Sequence, residues 1–67
     1  MTQLTARERQ VCGYLCKGWE NKEVARKLGI GFRTVEEHRQ NILKKYKVRN
    51  VVELVRAVYD IPEEEVA

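Results

Sequence analysis

Few side chains in this 67-residue chain carry reactive chemistry, and their spacing argues against a catalytic or metal centre. Cys12 and Cys16 stand four apart, which on a helix puts both thiols on one face. A structural zinc needs further ligands, and His38, the one histidine, falls within the apolar stripe of another helical pattern. A disulfide across a single helical turn does not suit a cytosolic protein. Serine is absent, and no pattern pairs either cysteine with His38 as nucleophile and base. The expectation is a chain with no catalytic residue, cofactor or metal, in which Cys12 is a small core residue and Cys16 a partly covered one. Redox sensing by either thiol has no second feature behind it.

A different chemistry lies between Arg33 and Lys44. Glutamine pairs bidentately with adenine, arginine with guanine or a phosphate, and a glutamate accepts from the amino group of cytosine. Gln40, Arg33, Glu36 and Glu37 supply those groups. At 100° per residue Arg33, Glu37, Gln40 and Lys44 form one stripe, flanked by Glu36 and Asn41 and opposite Val35, His38, Ile42 and Tyr46. This helix follows a shorter pattern whose apolar face is Val24, Ala25 and Leu28, and only Gly29-Ile30-Gly31 lies between. Gly29 stands where the shorter helix must end in the left-handed region, and small Ala25 lets the two helices cross closely. The combination is a helix-turn-helix, and it implies sequence-specific binding of double-stranded DNA.

Two more helices complete an all-α, four-helix domain. Thr5 is the expected N-cap of the first, with Glu8 closing a capping box, Leu4 as staple, Val11, Cys12 and Leu15 as buried stripe, and Gly18 as stop. Asn21 is the expected cap of the second, Gly31 of the third, which runs to about Tyr46, and Asn50 with Glu53 of the fourth. Ile61-Pro62 should end the fourth helix, since a residue before proline is pushed from helical geometry. Residues 1–61 therefore read as one domain and 62–67 as an acidic tail. Trp19 and Tyr14 are two of only five aromatics, too few for a stacking platform, and are expected to pack on the core.

Composition agrees. Residues 1–59 hold thirteen basic and six acidic side chains, a balance suited to a polyanion. No window approaches the roughly 18 apolar residues of a membrane span, and no secretory h-region opens the chain, so a cytoplasmic location without membrane contact is expected.

The residues Leu4-Thr5, Arg7-Glu8, Val11, Gly18, Asn21-Lys22-Glu23-Val24-Ala25, Leu28, Ile30, Thr34-Val35, His38, Asn41-Ile42, Lys45 and Val48 resemble, in order and without gaps, the DNA-binding domain of LuxR-type regulators of the FixJ and NarL kind. The resemblance implies a third helix, about Phe32 to Tyr46, in the major groove, with base contacts at Glu36, Glu37 and Gln40, and a fourth helix that pairs two protomers. It also implies a histidine at position 38 without metal. Lys22, Arg33, Thr34, Lys44, Lys45 and Lys47 are the expected contacts to the DNA backbone. Candidate protein partners are a second copy, RNA polymerase and a full-length relative.

Three positions depart from the usual pattern of such domains. Glu36 replaces a frequent basic residue, Gly31 a serine cap, and Val51 an arginine. The last widens the apolar face of the fourth helix beyond what one core requires, so Leu54 and Val58 are expected to face the core while Val52, Val55 and Tyr59 pair with a second copy about a two-fold axis. Acids on the reading face also suit a second reading, in which the chain is a single-domain antagonist that heterodimerises with a full-length relative and keeps it off DNA.

Overall fold

The computed structural model describes residues 3–60, which form four α-helices and, among the described residues, no strand: α1 (Ala6–Cys16), α2 (Asn21–Leu28), α3 (Phe32–Tyr46) and α4 (Val51–Tyr59). The expected stop at Ile61-Pro62 and the acidic tail lie outside the described residues. No helix is long and apolar enough to cross a membrane.

The core is built by α3, which packs on α1, α2 and α4. Val11, Cys12 and Leu15 of α1, Val24 and Ala25 of α2, Val35, Ile42 and Leu43 of α3, and Leu54 of α4 are buried in one cluster. Because three helices surround α3, its buried wedge is wider than the stripe read from its sequence. Leu43 joins it fully, while His38 and Tyr46 are only half-buried. Trp19 and Tyr14 pack against the same core with ring centroids 4.5 Å apart.

The helix ends follow the local sequence with two corrections. Thr5 and Glu8 close a reciprocal box: the Glu8 amide donates to Thr5 Oγ1 at 3.1 Å and the Thr5 amide to Glu8 Oε1 at 2.9 Å. The cap of α2 is Glu20 rather than Asn21, with the Glu20 amide donating to Glu23 Oε1 at 2.8 Å. Asn21 is already helical, which leaves its side chain available to α3. At α4 the Glu53 amide donates to Asn50 Oδ1 at 2.9 Å, but the Glu53 carboxylate reaches back one residue further than a capping box, to the amide of Arg49 at 2.8 Å. The same carboxylate takes the Arg49 guanidinium at 3.0 Å, and these bonds from Arg49 hold its pKa below the usual carboxylate value.

Between α2 and α3, Gly29 adopts φ 67° and the Ile30 amide donates to Ala25 O at 3.0 Å, so the chain reverses within three residues. Gly31 caps α3 with φ −71° and no side-chain bond. This short, glycine-closed turn fixes the angle at which α3 is presented.

Candidate nucleic-acid interface

The outward face of α3 is an open groove lined by Arg33, Glu36, Glu37, Gln40, Asn41 and Lys44. All six are exposed, and their positions are those expected from the helical periodicity. The side chains of Glu36, Glu37 and Gln40 make no hydrogen bond or ion pair with any described residue, so their polar ends are presented to solvent. Nothing in the fold occupies the glutamates, which is what acceptors for base amino groups require.

The residues expected to hold a phosphate backbone, all cations except Thr34, divide into two sets. Lys22, at the start of α2, and Arg33 and Thr34, at the start of α3, are exposed around the N-terminal end of α3. Lys44 and Lys47 are exposed at its C-terminal end, Lys47 in the left-handed C-cap with φ 57°. Lys45 differs from its neighbours. Its Nζ donates to Glu8 Oε1 at 2.6 Å, tying the end of α3 to the start of α1. The sequence marks Lys45 as a backbone contact, and in the structure this exposed side chain also pairs with Glu8.

Glu8 is the reason. It is 4% exposed, the one buried charged residue among those described, and its Oε1 accepts from both Lys45 and the Thr5 amide. Hydrogen bonding to Lys45 first, then to the Thr5 amide, holds its carboxyl below the usual value of 4.5 against the opposing effect of desolvation. The sequence shows the capping role of Glu8 and conceals the tertiary one, because the capping box already accounts for the residue.

Arg39 is a second side chain that helical periodicity leaves without a role. It is half-buried between the reading face and α2, and its Nη1 donates to Asn21 Oδ1 at 3.5 Å. Together with Glu20, Lys22 and Phe32 these two residues line a recess at the N-terminal ends of α2 and α3.

On α4, Leu54 is buried and Val51 and Val58 pack against the core, while Val52 and Tyr59 are 61% and 60% exposed and Val55 is half-buried. Val52 and Tyr59 are thus the exposed large apolar side chains of this helix.

The cysteines lie on the inner side of α1. Cys12 is buried, Cys16 is half-buried, and burial pushes the Cys12 thiol up to about 12 and the Cys16 thiol upward as well. Thiols held in the protonated form are poor nucleophiles and poor metal ligands. Among the described residues no group of three His, Cys, Asp or Glu side chains is placed to hold a metal ion.

Residues 2–58 match the sequence model of the bacterial regulatory proteins of the luxR family. The chain is 47% identical over 57 residues to the transcriptional regulatory protein UhpA of Escherichia coli strain K12, which covers 85% of the chain and 29% of that protein. It is 39% identical over 54 residues to the tetrathionate response regulatory protein TtrR of Salmonella typhimurium, covering 81% and 26%. Over 53 residues it is 47% identical to the response regulator protein TmoT of Ectopseudomonas mendocina, covering 79% and 24%. The chain spans less than a third of the length of each of these relatives. A four-helix array with its turn at Gly29 to Gly31, an outward polar face on α3 and a family match across nearly all described residues agree on one assignment: the chain belongs to the luxR family of bacterial regulatory proteins.

Proposed function

We propose that this domain binds double-stranded DNA in a sequence-specific way, with α3 in the major groove and two copies joined through α4. The observation that carries the reading is the exposed, internally unbonded set Glu36, Glu37 and Gln40 on the outward face of α3, bounded at both ends by cations. In this reading Glu36 and Glu37 accept from the amino groups of bases and Gln40 pairs with adenine. Lys22, Arg33 and Thr34 hold the phosphates at one end of the helix, and Lys44 and Lys47 those at the other. Two acids on the reading face repel phosphate, so affinity rests on these flanking cations and on duplication of the contact. Val52, Val55 and Tyr59 supply the second copy's contact, and the preferred site is then two-fold symmetric.

The test is a fluorescence-anisotropy titration of a randomised duplex pool at several salt concentrations, with sequencing of the bound fraction. Affinity that falls steeply with salt and enrichment of an inverted repeat are expected. A folded protein that binds no duplex at low salt would overturn the reading and leave the heterodimerising antagonist, which needs the apolar strip of α4 but not Gln40 or Lys44.

A further inference from the structure

Among the lysines and arginines of α2 and α3, Arg39 alone is half-buried, and the others are exposed. Its guanidinium carries several N–H donors, yet among the described residues it makes a single bond, the 3.5 Å contact from Nη1 to Asn21 Oδ1. That bond is long and its acceptor is neutral, so the fold withdraws part of a cation from water without giving it an anion. Arg39 belongs to two recesses, the one beside α2 that holds Lys22 and a second lined by Asn21, Glu36, Arg39, Gln40, Leu43 and Arg49. In the second, Arg49 comes from the segment between α3 and α4. Glu53 Oε2 accepts from Arg49 Nε at 3.2 Å and from Nη2 at 3.0 Å, which sets the guanidinium in place and leaves Nη1 to donate elsewhere. Asn21 Oδ1 is taken by Arg39, so the Asn21 side chain offers its Nδ2 as a donor.

The place of this second recess decides its ligand. It shares Glu36 and Gln40 with the outward groove of α3, so it opens on the flank of that face next to α2 and the start of α4. A helix about 10–12 Å across fills a major groove about 12 Å wide, so phosphates run along its flanks as well as past its ends. The donors on this flank are two guanidiniums and an amide, and the planar fork of a guanidinium suits the oxygens of a phosphate. Glu36 is the one acid of the lining, and the two arginines offset its repulsion of the DNA backbone.

We propose that Arg39 and Arg49, with the Asn21 amide, grip one DNA phosphate in each half-site from the flank of α3. This rests on the DNA-binding reading above and deepens it, adding a backbone contact beside the reading face to those at the two ends of the helix.

The experiment takes the enriched duplex, replaces each phosphate in turn by an uncharged methylphosphonate, and measures affinity for the parent, Arg39→Gln, Arg39→Lys, Arg49→Gln and Asn21→Asp. One replacement per half-site should weaken the parent about tenfold, the scale of one charge-assisted contact. Arg39→Gln and Arg49→Gln should each bind the unmodified duplex about tenfold more weakly whatever its sequence, lower the salt slope by about one, and lose the response to that same replacement. Arg39→Lys should recover part of the affinity. Asn21→Asp keeps the acceptor for Arg39 and adds an acid to the first turn of α2, where the helix dipole favours it. It should melt no lower than the parent and yet bind DNA more weakly. Parent-like binding by Asn21→Asp would make the Arg39 bond a purely structural one and overturn the inference. So would arginine variants that respond to every replacement as the parent does, or that lose their response at two different phosphates. Arg49 is exposed and outside the core, so this comparison stands even if Arg39→Gln melts early. In each of these cases an impaired Gln40→Ala leaves the DNA-binding reading intact, whereas a parent that binds no duplex overturns both.

Discussion

At the scale of single residues, Gln40 and Lys44 lie one turn apart on the same face and should fail differently when removed. Gln40→Ala should relax preference at one base pair and cost about 1 to 3 kcal/mol on the best site, read by comparing the enriched duplex with single-base variants. Lys44→Ala should weaken all sequences alike and lower the slope of log affinity against log salt by about one. Glu8 governs stability instead. Its carboxyl titrates below its ordinary 4.5 in the fold, so the stability it contributes is complete above that value and is lost as pH falls from 4.5 through the lower folded value. Glu8→Gln should therefore be less stable at pH 7, by about 2 kcal/mol, and should lose less than the parent in urea titrations carried toward pH 3. Neither the burial of Glu8 nor its bond to Lys45 was legible in the sequence. The partners are 37 positions apart, and each has a sufficient local explanation, one as a capping acid and the other as a cation near a helix C-terminus.

Among the helices, legibility depended on how far a signal reaches along the chain. The Thr5 cap, the Gly29 reversal and the Gly31 cap are set by residues within four positions of one another, and they stand where the sequence puts them. Leu43 and Arg39 were missed because a single period describes a helix packed on one side, whereas α3 is enclosed by three neighbours. Asn21 suits a cap by its type, yet the bond from the Glu20 amide to the Glu23 carboxylate starts the helix one residue earlier, with Glu20 as cap and Asn21 in the first turn. Two substitutions test the helix ends. Gly31 has ordinary φ and a Cβ there would meet Thr34 Oγ1 at 3.7 Å, so Gly31→Ser should fit and stabilise by a few tenths of a kcal/mol, about 0.5, through the missing cap bond. Lys47→Gly should relieve a left-handed residue and raise stability by about 1 kcal/mol while removing a cation from the proposed interface, so melting temperature and DNA affinity should move in opposite senses.

For the molecule as a whole, the exposed side chains of α4 are where the proposed pairing of two copies on DNA can be tested. Val52→Glu leaves the core untouched, since Val52 is 61% exposed, and would set two carboxylates near each other across a two-fold axis. It should weaken self-association about tenfold or more in sedimentation velocity with no change in melting, and binding to the inverted repeat should fall to that of a half-site. Unchanged association would locate the contact elsewhere. The tie between Glu8 and Lys45 also bears on how the chain reaches its native state. α1 finds its main packing partner only in α3, and Lys45 lies near the end of that helix, so α1 must wait until most of the domain has been placed before its buried acid is neutralised. Loss of the tie should appear chiefly as faster unfolding with little change in the folding rate, as expected of a contact made after the transition state.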